Sequence, residues 1–313
     1  MSSRERKELL EASLSGPAPL LHYRVGENIP RSFNPFPHMP VGLYGTHRFS
    51  GGETHIKLAT SGGHSQGAVV SARITGGDDV MLFLLCVDAL CRRGMDPSKI
   101  HAVIPYIPYA RQDRMCDSGE SFSLKVFSSL VNSLGLGKVT MVDAHSDVAP
   151  ALIENSVNLS NSIYVKQALE DIGDPGGVLI VSPDSGANKK VHKLVKDLGT
   201  GNTVIACDKV RDPTTGKLSG FRVFADDLGG KSCLIVDDIC DGGRTFIGVA
   251  QELRRKNAGK LYLFVTHGIF SAGHIELRMA FEKVYCTDSF STIDNADILG
   301  VKQFLINLEL EHD

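Results

Sequence analysis

The stretch Leu234-Ile235-Val236-Asp237-Asp238-Ile239-Cys240-Asp241-Gly242-Gly243-Arg244-Thr245 decides the fold of this chain. An apolar run ends in two acids, passes a small glycine-bearing loop and enters the amphipathic segment Phe246 to Arg255. That order is strand, loop, helix. The backbone N–H groups of Asp241, Gly242, Gly243, Arg244 and Thr245 would open a helix N-terminus, a natural seat for a phosphate. The helix dipole contributes only ~0.3–1 kcal/mol, so loop hydrogen bonds, the Thr245 hydroxyl and Arg244 must supply most of the anchoring. Asp237 and Asp238 would repel a phosphate but suit vicinal hydroxyls or a hydrated Mg²⁺. A phosphate at one end and a diol at the other describe a ribose 5-phosphate. The alternative is an ordinary strand-to-helix turn with solvated acids. No Gly-Lys-Ser/Thr closes the loop, so it is not a Walker loop.

Composition sets the frame. A chain of 313 residues is expected to form two domains, and 42% hydrophobic with 22% charged residues suits globular cores. A net charge of −3 gives no electrostatic case for nucleic acid. No apolar run approaches membrane-spanning length; Val80 to Val87 is among the longest, and Asp88 stops it. The start, Met1-Ser2-Ser3-Arg4-Glu5-Arg6-Lys7-Glu8, is charged where a secretory signal needs an apolar core. Seven cysteines without CxxC spacing suit reduced thiols in a cytoplasm, with Cys240 a small filler. The expectation is a cytoplasmic protein with no membrane and no nucleic-acid partner.

Residues 1–45 read as irregular. A short helix is expected over Arg4 to Leu14, and Pro17, Pro19, Pro30, Pro35, Pro37 and Pro40 then forbid regular structure. From Val69 onward, strands are expected at Ala102–Ile104, Val139–Val142, Val178–Val181, Val204–Ala206, Cys233–Val236 and Tyr262–Val265. Helices are expected at Val80–Arg93, Leu124–Ser133, Lys189–Leu198 and Phe246–Lys256. Short β-rich runs between helices of this length imply parallel sheets covered on both faces. Residues 102–147 and 178–211 both run strand, loop, helix, strand, which is either an internal repeat or the common currency of α/β units. The division reads as 1–160, 161–290 and a tail 291–313 packing back on the N-terminal domain.

Further constellations follow strand ends. Asp143 and His145 lie two apart, so in an extended chain both project to one face. They suit Mg²⁺–nucleotide contacts, or merely cap the next helix. Zinc is disfavoured, with no third Cys or His nearby. Lys209 and Arg211 also share a face and lead into the turn-rich Asp212-Pro213-Thr214-Thr215-Gly216-Lys217. Cations on a closing loop neutralise charge on a transferring phosphoryl group; alternatively they form a solvated basic loop. Arg111-Gln112-Asp113-Arg114 follows aromatic residues and offers guanidinium stacking and phosphate contacts. Asp184 either binds metal or caps the helix Lys189–Leu198. His267 reads as structural.

Taken together these segments resemble the ribose-phosphate pyrophosphokinase (phosphoribosyl pyrophosphate synthetase) family, in order from about Arg48 to Ser289. The carriers are Val103-Ile104-Pro105-Tyr106 with Tyr109-Ala110-Arg111-Gln112-Asp113-Arg114, Asp143-Ala144-His145, Val181-Ser182-Pro183-Asp184, Asp208-Lys209-Val210-Arg211 and Val236-Asp237-Asp238. Arg48-Phe49-Ser50-Gly51-Gly52-Glu53 and Thr266-His267 add support. The resemblance implies an α/β chain of two related phosphoribosyltransferase-like (Rossmann-type) domains. It implies attack of the anomeric hydroxyl of ribose 5-phosphate on the β-phosphorus of MgATP, releasing AMP. Carried over, Lys209 and Arg211 are catalytic. Arg211, Asp237, Asp238, Asp241, Gly242, Gly243, Arg244 and Thr245 hold ribose 5-phosphate. Phe49, Gly51, Gly52, Glu53, Arg111, Gln112 and His145 serve ATP, with Phe49 and Glu53 meeting the adenine bound in a neighbouring subunit. His145 and Asp184 match Mg²⁺ positions, with Asp143 beside them. A homo-oligomer, dimers assembling to a hexamer, is implied as well.

The departures are specific. Gly51 stands where the family usually has Asp. Gly242-Gly243-Arg244 stands where Thr, a small residue and Gly are usual. Met115-Cys116-Asp117-Ser118-Gly119-Glu120 stands where a basic run is frequent, which puts phosphate activation and ADP regulation in doubt. Two other functions compete. A catalytically silent regulatory subunit would have lost the loop cations or metal ligands, yet Lys209, Arg211, Asp143, His145 and Asp184 are all present. A phosphoribosyltransferase consuming phosphoribosyl pyrophosphate fits the Asp-Asp loop but leaves the Arg111 segment and the Lys209–Arg211 pair unexplained.

Overall fold

Valine- and isoleucine-rich runs alternating with amphipathic stretches become parallel strands joined by helices. The computed structural model describes residues 20–26, 29–30, 32–59, 66–211, 218–294, 296 and 299–308. The expected helix Arg4 to Leu14 and the turn Asp212 to Lys217 lie outside the described residues. The described residues form two compact units, one holding those up to 141 with 146–157 and 307–308, the other holding 142–145 and those from 158 to 306. No helix among the described residues is long and apolar enough to cross a membrane.

The first unit contains β1 (Leu21–Val25), the hairpin strands β2 (Tyr44–Arg48) and β3 (Thr54–Leu58), then β4 (Ala68–Ala72) and α1 (Gly77–Arg92). There follow β5 (Ile100–Val103), α2 (Ser123–Asn132), β6 (Lys138–Val142), α3 (Val148–Leu152) and β7 (Ser156–Leu159). The main sheet runs β1-β4-β5-β6-β7, and β1 to β6 pair in parallel. Helix α1 buries Val80, Phe83, Val87 and Leu90 at helical spacing. Asp79 in its first turn accepts hydrogen bonds from the Thr75 N–H and hydroxyl at 2.9 and 2.8 Å. Strand β1 corrects the expectation of an irregular segment through residue 45. Leu21 to Val25 is a proline-free pentapeptide, and it pairs residue by residue with Ala68 to Ala72. Pro17 and Pro19 precede it in the sequence, and Pro30, Pro35, Pro37 and Pro40 come after it.

The second unit contains α4 (Ser162–Ile172), β8 (Leu179–Ser182), α5 (Ser185–Leu198), β9 (Val204–Arg211), β10 (Leu218–Val223) and β11 (Cys233–Cys240). It continues with α6 (Arg244–Arg255), β12 (Leu261–Gly268), α7 (Ile275–Ala280), β13 (Lys283–Thr287) and β14 (Val301–Phe304). Its seven-stranded sheet has the order β10-β9-β8-β11-β12-β13-β14. All pairs are parallel except the edge strand β10, antiparallel to β9. The central strands open with apolar runs because both faces are covered there: Val181, Ile235, Leu263 and Val265 have no exposed surface. Residues 301–304, expected within a tail, form β14 of this sheet, whereas Leu308 joins the first unit through the Pro35 carbonyl.

Candidate active site

The acid pair sits on β11, which extends to Cys240 and so carries Asp237 and Asp238 inside the strand rather than beyond it. Ligands of open α/β sheets bind outside such carboxyl ends. Gly243 then turns the chain into α6 with φ +77°, and no side chain caps that helix. That backbone conformation favours glycine, and a Cβ there would also crowd Leu277 Cδ2 at 3.0 Å. Asp241 is held at the loop by the Ser271 hydroxyl, 2.5 Å from its Oδ1. Arg244 is exposed and Thr245 half-buried at the start of the helix. Burial pushes the Cys240 thiol up to about 12, consistent with a filler rather than a nucleophile.

A tight polar cluster supports the pair. His145 Nδ1 lies 2.6 Å from Asp238 Oδ2. Lys190 Nζ lies 3.0 Å from Asp143 Oδ1 and 3.6 Å from Asp238 Oδ2, and donates to the Ala144 carbonyl at 2.9 Å. Asp143 Oδ2 accepts from Asn161 Nδ2 at 2.9 Å and from the Thr266 hydroxyl at 2.5 Å. The extended-chain expectation for Asp143 and His145 does not hold, because Asp143 leaves β6 with φ +46°. The turn buries Asp143 and leaves His145 exposed. Asp143, expected beside the metal, uses both oxygens on Lys190, Asn161 and Thr266, which makes it the anchor of the turn carrying His145.

The two acids have opposite electrostatics. Burial, then the neighbouring Asp238 charge, raises Asp237 well above the ordinary carboxylate range. Burial works the same way on Asp238, but the His145 hydrogen bond and the Lys190 charge outweigh it and hold that carboxyl well below the range.

Asp184 caps α5, which begins at Ser185 rather than Lys189: its Oδ1 accepts the Ala187 N–H at 3.1 Å. Its Oδ2 accepts from Lys209 Nζ at 2.6 Å. Burial would raise its pKa, yet these donors lower it, Lys209 foremost. Lys209 and Arg211 belong to β9 itself, longer than the expected Val204–Ala206 because β10 pairs with it. Among the described residues no three His, Cys, Asp or Glu side chains gather to hold a metal alone. His267 is buried between the Val142 carbonyl at 3.1 Å and the Ser289 hydroxyl at 2.7 Å, the structural role expected of it.

In the first unit Phe49, Gly51, Gly52 and Glu53 form the tip of the β2–β3 hairpin. Phe49 and Glu53 are joined by the 2.9 Å bond from the Phe49 N–H to the Glu53 carbonyl. Phe49 is 52% exposed and meets the His47 ring edge-on at 4.8 Å. A Cβ at Gly51 would strike the folded-back Glu53 carboxylate at 2.6 Å, so the glycine makes room for it. Arg111 and Gln112 lie exposed on the loop after β5, in a turn closed by the Gln112 N–H on the Tyr109 carbonyl at 2.8 Å. A cavity of about 450 Å³ opens at the hairpin base beside Arg24, Tyr44, His47, Arg48 and Thr54. It belongs to this unit and not to the acid pair.

Known proteins share both sequence and architecture with the chain. Residues 20–135 match the N-terminal domain of ribose phosphate pyrophosphokinase, and residues 187–289 match the phosphoribosyl synthetase-associated domain. The ribose-phosphate pyrophosphokinase of Mycoplasma pneumoniae is 31% identical over 250 residues, spanning 79% of this chain and 73% of that protein. The chain belongs to the ribose-phosphate pyrophosphokinase family. The enzyme of Thermosipho africanus is 30% identical over 267 residues, spanning 81% and 83%. The crystal structure of phosphoribosylpyrophosphate synthetase from Mycobacterium smegmatis superposes with a TM-score of 0.76 at 23% identity, covering 92% of this chain and 95% of that one. The fold is therefore the α/β, two-domain phosphoribosyltransferase-like architecture expected of a pyrophosphokinase.

Sequence reasoning did not place Lys190, Asn161 and Thr266 in the polar cluster around Asp143, which they complete. Thr266 stood in a segment already attributed to the family, so a strand-end threonine beside His267 was a usable signal. Nothing in the sequence marks Lys190 apart from other lysines on α5.

Proposed function

We propose that this chain is a ribose-phosphate diphosphokinase, transferring the pyrophosphoryl group of MgATP to the anomeric hydroxyl of ribose 5-phosphate to give phosphoribosyl pyrophosphate and AMP. The observation that carries this is the acid pair on β11 running directly into an uncapped helix N-terminus. The loop from Asp241 to Thr245 and its first-turn amides take the 5-phosphate. Asp237 and Asp238 take the ribose hydroxyls, Asp238 as the ionised acceptor. Lys209 and Arg211 neutralise charge that develops on the transferring group. In-line phosphoryl transfer needs little beyond positioning and such neutralisation.

Asp184 and His145 are the residues that would hold Mg²⁺. Mg²⁺ is commonly held through one or two protein groups and completed by substrate phosphates. The ion supplies charge neutralisation across the ATP phosphates. Phe49, Gly51, Gly52, Glu53, Arg111 and Gln112 serve the nucleotide. The exposed Phe49 on a projecting hairpin supports a homo-oligomer in which the tip reaches a neighbour's ATP. Seven free cysteines support a reducing cytoplasm. Incubation of purified protein with MgATP and ribose 5-phosphate should release AMP and phosphoribosyl pyrophosphate in equal amounts. Release of ADP, or no turnover with Mg²⁺ present, would overturn the assignment.

A further inference from the structure

Between two buried carboxylates of the second unit stands one ammonium group. The geometry points to Lys190 as a positioning residue for the sugar site, the strut that holds the ribose-binding acid Asp238 and the turn of His145 in register. This rests on the diphosphokinase reading above.

Three observations carry it. Lys190 Nζ spans Asp143 Oδ1 at 3.0 Å and Asp238 Oδ2 at 3.6 Å, tying the turn after β6 to β11. The same nitrogen donates to the Ala144 carbonyl at 2.9 Å, so it fixes the backbone between Asp143 and His145. Asp143 and Asp238 are 8% and 7% exposed. Two carboxylates removed from water repel strongly unless a cation lies between them. The surrounding acids also keep Lys190 charged: burial favours the neutral amine, but Asp143, then Asp238, outweighs it and raises the pKa.

Lys190 stands on α5, whose first turn is capped by Asp184, the acid that receives Lys209. One helix therefore sets two parts of the site. The consequence is selective. Without the Lys190 charge, Asp238 moves away from Asp143 and its hydroxyl-binding oxygens leave their place. The nucleotide contacts of Arg111 and Gln112 stand on another unit and are unaffected. Lys190 acts chiefly through Asp238, so the loss falls first on sugar binding, with a smaller effect on ATP through the turn of His145.

Steady-state kinetics on the full chain tests this, with Lys190→Met removing the charge at similar length. The Michaelis constant for ribose 5-phosphate should rise about tenfold or more, the scale of one charge-assisted contact, and clearly more than that for ATP. Lys190→Arg should recover most of the loss. If Lys190→Met does not fold, Lys190→Gln, which keeps a donor for the Ala144 carbonyl, is read by the same criterion, with thermal unfolding run in parallel. A wild-type constant for ribose 5-phosphate in the uncharged variants would overturn the inference. So would equal rises for both substrates, or an Arg variant no better than Met, which describe a merely structural lysine. Wild-type protein that turns over neither substrate would instead sink the diphosphokinase reading, and the inference with it.

Discussion

His145 Nδ1 and Asp238 Oδ2 lie 2.6 Å apart although 93 residues separate them in the chain. The imidazole is 38% exposed and the carboxylate 8%. A ring nitrogen this close to a buried carboxylate fixes the orientation of the imidazole and ties the turn after β6 to β11. The acid proposed for the ribose and the histidine proposed for Mg²⁺ are thus directly linked.

The acid pair should respond unequally to neutralisation. Asp238 is held ionised by His145 and Lys190, whereas burial and its neighbour push Asp237 toward the protonated form. Asp238→Asn removes a charge that is present, and should raise the Michaelis constant for ribose 5-phosphate by about ten- to a hundredfold. Asp237→Asn mimics a protonated acid and should cost clearly less, while still weakening the sugar more than ATP. Calorimetric titration of both ligands against both variants checks this; equal losses for the two acids would contradict the asymmetry.

Lys209 is predicted to act in the transition state. Its ammonium is 2.6 Å from Oδ2 of Asp184, the acid proposed to hold Mg²⁺. Lys209→Ala should lower kcat by ~10²–10³, the usual size for one preorganised electrostatic contact, with little change in ribose 5-phosphate affinity. An unchanged kcat with a raised Michaelis constant would make Lys209 a binding residue only.

A separate ion network should give a pH-dependent contribution to stability. Asp171 on α4 receives Lys283 Nζ at 2.9 Å, Lys302 Nζ at 2.5 Å and the Tyr285 hydroxyl at 3.0 Å. Burial would raise its pKa, but these donors, Lys302 first, bring it down to about 2. A depressed acid stabilises the fold above its unfolded pKa, and that contribution disappears as the pH falls from about 4 to about 2. Solvent around both lysines limits it to about 1 kcal/mol. Asp171→Asn should therefore lower Tm by a few degrees at pH 7, with the gap to wild type closing across that acid window. A gap independent of pH would point to packing instead.

Much of this was legible in the sequence because it is local. Periodicity found α1, α2, α5 and α6 to within a few residues, since each buries one stripe, and Leu234 to Thr245 announced its strand, loop and helix directly. Strand lengths were not legible: β9 and β11 run on to Arg211 and Cys240 because their neighbours pair with them, which no local pattern states. Strand β1 was hidden among prolines, and β14 among the residues of a supposed tail. The β2–β3 hairpin left a signal in Ile56 and Leu58, buried at alternate positions, and in the Gly51-Gly52 turn. The roles of Lys190 and Asn161 depend on contacts across 46 and 18 residues, beyond any sequence window.

Regulation should be simple. Phosphate activation requires an anion site, and such sites are built from clustered cations or unpaired amide donors. Where related synthetases often carry a basic run, Met115 to Glu120 offers two acids and no Lys or Arg. Two amides of this loop are also taken. Glu120 Oε2 accepts the backbone N–H of Cys116 at 2.8 Å and of Asp117 at 3.2 Å, so a carboxylate of the chain already takes the amides an anion would use. An anion arriving there would have to displace Glu120 and would meet Asp117 beside it. The expected result is activity that changes by no more than about twofold as phosphate rises from zero to millimolar at saturating substrates, the scale of ordinary salt screening. ADP should inhibit only by competing with ATP. A steep rise with phosphate, or ADP inhibition that excess ATP cannot relieve, would mean that a regulatory site is built from other residues.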